Sequence, residues 1–220
     1  MIFFSGMGAN ESIFLPQQTC FPSLIVVPWQ VPEKGESLVS YCARLAKDID
    51  PGCPCIVGGA SFGGIVALEI ASQLDALGCI LIGSVRSPDE IPKRIRAFRI
   101  FAPILKFLPL NPLKFLARQA IPVLRWLRAK HIAGLAKQFS ASDSRVIRWS
   151  IKQVFHWNRI SFEFPIRQIH GKNDFVFPIS RLEPDATVEG GGHVISLTHP
   201  RKVNAFIRES LDVFQSQPEA

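Results

Sequence analysis

Short apolar runs alternate with stretches of helical periodicity in both terminal parts of the chain. Six runs rich in Val, Ile, Leu, Phe and Cys predict buried strands at 1–4, 24–28, 54–58, 79–83, 164–171 and 185–188. Apolar side chains recur at helical spacing over 36–49, over 61–77 and from Arg201 onward. Strands that alternate with helices predict an α/β fold whose sheet is mostly parallel, with right-handed crossovers.

The alternation of predicted strands and helices stops after Ser84, where Phe, Leu and Ile mix with Arg and Lys over a long region. Six prolines punctuate it, and we expect them to cut it into short helices: Pro88, Pro92, Pro103, Pro109, Pro112 and Pro122. No flexible linker or internal repeat divides the 220 residues into independent domains. The pattern therefore predicts one core, formed by 1–84 and 161–220, with a helical cap inserted at 85–160.

Positive charge is concentrated in that insertion. Residues 85–160 hold 16 Lys and Arg against Asp89, Glu90 and Asp143, a net +13, so the rest of the chain carries −6 of the total of +7. A solvated outer face would explain the charges, and helices that cover a pocket need an apolar face in any case. Docking to an acidic carrier protein or to an anionic membrane surface is the alternative. No nucleic-acid-reading motif is present, so we do not expect nucleic acid binding.

Cysteine usage and the N-terminus bear on the compartment. The five cysteines are odd in number and favour reduced thiols, and we interpret Cys53 and Cys55 as buried small apolar residues because no second pair or His cluster supports a metal site. No signal peptide or membrane-spanning run is evident. We expect a cytoplasmic protein with no metal and no cofactor, which could attach peripherally to a membrane.

The segment from Gly58 to Gly64 is the most informative feature of the chain, although its Gly-x-Ser-x-Gly pattern alone is a weak signal. An apolar strand breaks at glycine, presents Ser61 and continues as a helix, with Gly59 and Gly63 two residues to either side of the serine. Such an elbow needs small residues at those two places, and the backbone N–H of Phe62 would face a developing oxyanion. An ordinary helix cap is the alternative role for Ser61.

A serine nucleophile needs a base and an acid, and the chain offers both downstream. Asp174 lies in a polar turn after the strand at 164–171, with Asp89 as a rival acid. His193 follows three glycines after the next strand, with His199 as a rival base. We interpret the other three histidines as structural or as cap surface: His131, His156 and His170. The glycine-flanked turn at Met7 predicts the second oxyanion N–H.

With these motifs in place, the chain resembles the α/β-hydrolase superfamily over most of its length outside the insertion. The resemblance is carried by four segments: 4–8, 59–64, 169–174 and 192–193, with Pro200 and Val203 beyond. It is similar to the compact single-cap branch that includes carboxylesterases, the pimeloyl-carrier-protein methyl ester esterase and menaquinone-pathway C–C lyases. The resemblance implies a sheet of about six strands, without the first two strands of the family, and a triad of Ser61, Asp174 and His193.

Two departures refine what the resemblance implies. Ser5 stands where many members carry histidine, and the nucleophile is a serine rather than the aspartate of haloalkane dehalogenases and epoxide hydrolases. We expect a serine esterase acting on carboxylic esters with an apolar acyl part. The alternatives are hydrolysis of acyl thioesters or carrier-linked esters, C–C lyase chemistry, and a non-catalytic ligand-binding or membrane-docking homologue.

Overall fold

A computed structural model of the protein describes residues 1–97, 100, 109–127 and 129–216. Its sheet has six strands, all parallel, in the order β2-β1-β3-β4-β5-β6. The strands are β1 Ile2–Phe4, β2 Ile25–Val27, β3 Cys55–Ala60, β4 Ala76–Ile82, β5 Ile166–Gly171 and β6 Ala186–Val188. The predicted parallel α/β sheet of about six strands is confirmed.

Helices connect the strands and cover both faces of the sheet. They are α1 Leu15–Cys20, α2 Leu38–Ile49, α3 Phe62–Ala71, α4 Lys93–Ala97, α5 Leu110–Trp126, α6 Lys130–Ala141, α7 Ser144–His156, α8 Ile195–Thr198 and α9 Pro200–Gln215. Within the described ranges, none of them combines the length and the apolar character that crossing a bilayer requires.

Alternating side chains of the strands divide the core into two layers. In β1, Phe4 packs with α2 and α3 on one side of the sheet, whereas Phe3 packs with α9 on the other. Both phenylalanines are almost fully buried. Because successive residues of a strand point to opposite faces, a three-residue strand contributes to both layers. The site described below lies where the strands of this two-sided core end.

Two sequence expectations are corrected at the level of local structure, and one pair of short helical turns was not predicted. The helix predicted over 61–77 stops at Ala71, because the chain must turn before β4 begins at Ala76. Helical turns over 11–20 were not predicted, since no long periodic pattern marks them. Cys55 is buried in β3, but Cys53 is exposed in the turn before it, so the expectation of two buried thiols is wrong for Cys53.

The region between β4 and β5 contains α4 to α7. The prediction that every proline ends a helix is wrong for Pro122, which lies inside the 17-residue α5, and Pro112 lies in the first turn of the same helix. Pro112 is tolerated because the N–H groups in the first turn of a helix have no partner within the helix. Pro122 is exposed, so its ring lies on the solvent side of α5. Pro103 lies outside the described residues.

Candidate active site

Ser61 lies at the sharp turn between β3, which ends at Ala60, and α3, which begins at Phe62. Its φ of 54° and ψ of −127° make it the one non-glycine residue with positive φ in the described part of the chain. Its side chain makes no capping hydrogen bond, so the helix-cap alternative does not describe it. A non-glycine residue held at such angles stores backbone strain, which the surrounding packing must hold in place.

The two glycines that flank the turn are required by close backbone approach. A Cβ atom at Gly59 would collide with the carbonyl oxygen of Gly63, and one at Gly63 would collide with that of Phe4. The flanking small residues therefore let α3 start directly against β1 and β3.

Three hydrogen bonds hold the backbone of Ser61. Its N–H donates to the carbonyl of Ile82 over 3.2 Å, and its carbonyl accepts from the N–H of Gly64 at 2.9 Å. The hydroxyl of Ser84, just beyond β4, donates to the same carbonyl over 2.6 Å. Sequence reasoning missed this buried serine, and its position directly after a predicted strand was the available signal.

The structure brings Ser61, His193 and Asp174 into one chain of hydrogen bonds. Nε2 of His193 lies 2.8 Å from Oγ of Ser61, and Nδ1 lies 2.8 Å from Oδ2 of Asp174. A carboxylate only accepts, so Nδ1 carries the proton and Nε2 is left to accept from the serine hydroxyl. His193 stands between β6 and α8, and Asp174 follows β5, so three strand ends supply the three side chains.

Asp174 is buried and fully supplied with donors. Its Oδ1 accepts from the backbone N–H groups of Val176 at 2.8 Å and Phe177 at 3.0 Å. Burial by itself would raise the pKa of this carboxyl. The hydrogen bonds from His170, His193 and Phe177 instead hold the pKa well below its usual range. Asp174 is therefore an anion throughout the neutral pH range.

A second histidine, His170, also reaches Asp174. Its fully buried ring, in β5, places Nε2 at 3.1 Å from Oδ2 of Asp174 and at 2.8 Å from the carbonyl oxygen of Phe177. Both neighbours are acceptors, so Nε2 carries the proton. The interpretation of His170 as a structural residue did not include this contact. The contact depends on how the turn after β5 folds back, which the sequence does not specify.

The rival acid and bases lie elsewhere. Asp89 is exposed and pairs with Arg96 at 3.0 Å. His199 is outside the chain of hydrogen bonds, with Nδ1 at 2.9 Å from the hydroxyl of Thr198. His131 and His156 are exposed on α6 and α7.

The turn that contains Met7 is held beside Ser61. The hydroxyl of Ser5 donates to the carbonyl of Ala9 over 3.0 Å, and the N–H of Ala9 donates to the carbonyl of Gly6 over 3.0 Å. The indole of Trp29 donates to the same Gly6 carbonyl over 3.3 Å. Ser5 thus fixes the shape of this turn.

A cavity of about 220 Å³ opens at Ser61 and His193. The rest of its lining is mostly apolar: Gly6, Met7, Gly8, Ala9, Ile13, Ala60, Ile82, Leu135, Phe139, Val194 and Ser196. Leu135 and Phe139 come from α6, within the insertion. The adjacent Gln138 fastens α6 to the core, since its Oε1 accepts from the N–H of Asn10 at 2.9 Å.

Comparison with known proteins places the fold. No protein-family model matches the sequence, and no curated protein matches it either. Among solved structures, the chain is similar to a thermophilic esterase from Thermogutta terrifontis, with 17% identity and a TM-score of 0.72 over 97% of this chain and 89% of the other. It is also similar to a hydrolase from Pseudomonas aeruginosa, with 13% identity and a TM-score of 0.73 over 98% of this chain and 89% of the other. A third similar structure is an enol-lactonase from Burkholderia xenovorans, with 12% identity and a TM-score of 0.71 over 98% of this chain and 91% of the other. The chain has the α/β-hydrolase fold.

Proposed function

We propose that the protein is a serine hydrolase that cleaves carboxylic esters with an apolar acyl part. The observation that carries this proposal is the unbroken series of hydrogen bonds from Ser61 through His193 to Asp174, which ends at the mouth of an apolar cavity. In this assignment Ser61 is the nucleophile, His193 the base and Asp174 the group that orients the imidazole.

The reaction follows from the positions of the protons. As Oγ of Ser61 attacks the ester carbonyl, its proton passes to Nε2 of His193, and the imidazolium is stabilised by the anionic Asp174. The tetrahedral intermediate collapses when that proton is given to the departing alkoxide, which leaves as an alcohol. Water, deprotonated by the same nitrogen, then attacks the acyl-enzyme. The second tetrahedral intermediate collapses as His193 returns the proton to Oγ of Ser61, which releases the carboxylic acid and restores the serine.

The backbone N–H groups of Met7 and Phe62 are our candidates for stabilising the oxyanion. Phe62 is the first residue of α3, where N–H groups have no partner within the helix. Among the described residues, no acceptor takes a hydrogen bond from the N–H of Met7. Two such backbone donors close to Ser61 can stabilise developing charge without rearrangement.

The cavity lining and the similar structures favour an ester with an apolar acyl part. Apart from Ser61, His193 and Ser196, the side chains at the cavity are apolar, which suits a hydrocarbon chain better than a charged one. An esterase and an enol-lactonase are among the similar structures, and both names refer to cleavage of a carboxylic ester bond, open in one and cyclic in the other. We propose that residues 85–160 form the cap of the site, with α6 over the cavity.

The nucleophile can be tested directly with a fluorophosphonate probe and intact-mass analysis. The wild type should gain one adduct, and Ser61→Ala none. Turnover should fall by about 10³-fold or more in Ser61→Ala and His193→Ala, and by less in Asp174→Asn. Equal labelling of wild type and Ser61→Ala would overturn the assignment.

A hydrolysis screen then separates the substrate classes. It should compare p-nitrophenyl esters of graded acyl length with acyl thioesters and with carrier-protein-linked methyl esters. We expect the simple apolar esters to give the highest kcat/KM. Faster turnover of thioesters or carrier-linked esters would replace the ester assignment, and labelling without turnover of any substrate would favour a binding homologue.

A further inference from the structure

Helix α5 presents an apolar stripe to solvent. Four large side chains at spacings of three, seven and four residues lie on one side of it and are each about half exposed or more: Leu113 at 45%, Leu116 at 61%, Val123 at 56% and Leu127 at 59%. Trp126, at 80%, and Phe115, at 61%, extend the apolar surface. The less exposed side of α5 packs against α6.

Single exposed apolar residues are ordinary, but a stripe that follows a whole helix is not. From Leu113 to Leu127 the stripe is roughly 21 Å long at the rise of an α-helix. Within the described ranges nothing buries it, because the exposed fractions above are those that remain in the folded chain.

The sequence that contains and flanks α5 carries charge of one sign. Positions 91–142 contain eleven Lys and Arg residues and neither Asp nor Glu. On α5 itself, Lys114, Arg118 and Arg125 share a side away from the stripe. Lys114 donates to the carbonyl of Ser142, whereas no carboxylate among the described residues pairs with Arg118 or Arg125. The helix thus combines an unpartnered apolar face with uncompensated positive charge.

We propose that α5 lies in the surface of an anionic lipid bilayer, with its leucines, Trp126 and Phe115 among the acyl chains. Basic residues on one face with Trp, Phe and Leu on the other are typical of helices that lie in the plane of a membrane interface. An acidic protein would have to offer an apolar groove of matching length beside its negative charge. A bilayer with anionic headgroups satisfies both.

Because α5 packs against α6, docking of α5 on a membrane would affect access of substrate to the proposed active site. The stripe is exposed to solvent along α5, and α6, which packs against α5, supplies Leu135 and Phe139 to the cavity at Ser61. Docking would therefore hold the cavity near the layer into which apolar esters partition. This consequence depends on the esterase assignment, but the docking itself does not.

Vesicle flotation tests the proposal with the full chain. Vesicles of phosphatidylcholine alone should be compared with vesicles that contain about one-third phosphatidylglycerol. We expect flotation with the anionic vesicles only, weakened when salt rises from about 0.1 M to about 1 M, because the Debye length falls from about 10 Å to about 3 Å. Ser61→Ala should float like the wild type, which separates docking from catalysis.

Trp126 provides a local probe. It is strongly exposed, whereas Trp149 and Trp157 are buried and Trp29 is partly buried. Insertion of α5 should shift the tryptophan emission to the blue with anionic vesicles. Trp126→Phe should still float but lose most of that shift.

Variants with a matched control locate the surface. Reversing Arg118 and Arg125 to Glu should weaken binding to anionic vesicles by about 30-fold. Leu116→Ser with Val123→Ser should weaken it at every salt concentration. The control is Arg201→Glu with Lys202→Glu on α9, which changes the net charge equally and should leave binding nearly intact. Circular dichroism should show each variant folded.

Four results would overturn the proposal. They are failure of the wild type to bind anionic vesicles, equal binding to neutral vesicles, an equal loss in the α9 control, and salt-sensitive binding to an acyl carrier protein without binding to vesicles.

Discussion

Nε2 of His170 lies 3.1 Å from Oδ2 of Asp174, the same oxygen that accepts the Nδ1–H of His193 at 2.8 Å. The ring of His170 is fully buried, and the same Nε2 lies 2.8 Å from the carbonyl oxygen of Phe177, so the two acceptors share one N–H. Two imidazoles therefore converge on one carboxylate oxygen, but only His193 reaches Ser61. We therefore expect His170 to act as a positioning residue that holds Asp174 in place.

Removing that donor should reduce the rate more than the affinity. In His170→Leu, Asp174 loses one of the hydrogen bonds that stabilise its charge, and we expect kcat for an apolar p-nitrophenyl ester to fall about tenfold. KM should change little, because the ring does not line the cavity.

His170→Gln is the informative control, since its side-chain amide keeps a donor in a similar place and should recover part of the lost rate. A merely structural role would give equal kcat in the Leu and Gln variants at equal thermal stability. Unchanged kcat in His170→Leu would contradict the positioning role.

The depressed pKa of Asp174 also links stability to pH. The folded-state pKa lies below the unfolded-state value of about 3.9, so the unfolded chain takes up a proton first as pH falls. The stabilisation is complete above about pH 5 and is lost as pH falls through the folded-state pKa. Urea unfolding should show that Asp174→Asn loses most stability near neutral pH, with a deficit that shrinks toward about pH 3. A deficit that stays constant with pH would contradict this linkage.

Ser84 and Ser210 form a natural pair for testing the elbow. Both are fully buried, and each hydroxyl donates to a backbone carbonyl, that of Ser61 at 2.6 Å and that of Phe206 at 2.8 Å. Replacing either with alanine should cost about 1 kcal/mol of stability. Only Ser84→Ala should also lower kcat, because it frees the backbone that orients the nucleophile. Equal kcat in the two variants would show that the elbow does not need this bond.

Parallel strands explain why sequence predicted the gathering of Ser61, Asp174 and His193. Each follows an apolar run, and the carboxyl ends of parallel strands meet at one edge of the sheet. If the runs are strands, the three side chains are expected near one another. More than one hundred residues separate Ser61 from Asp174 along the chain.

Contacts that depend on loop geometry or on helix packing were not predictable in the same way. His170 reaches Asp174 only because the N–H groups of Val176 and Phe177 fold back onto that carboxylate. Leu135 reaches the cavity because α6 packs over the core. The hydrophobic periodicity of one helix shows that it has an apolar face but not which surface that face covers. Pro122 was misjudged because the cost of a proline inside a helix does not by itself end that helix, and the exposed Pro122 lies within α5.

The cavity wall provides the last prediction. Phe139 of α6 lines the cavity and packs against Gly8 in the turn that carries Met7, so its ring limits the space beside Ser61. Phe139→Ala should enlarge the cavity and move the optimum of kcat/KM toward longer p-nitrophenyl acyl esters, while the shortest esters lose the contacts that the ring made. Phe115→Ala is the matched control, because it removes the same ring from the exposed side of α5, and the acyl preference should not change. Labelling by the fluorophosphonate probe should persist in both variants, since neither touches Ser61, His193 or Asp174. An unchanged length preference in Phe139→Ala would show that the acyl chain is bound elsewhere and that the α6 wall does not select the substrate.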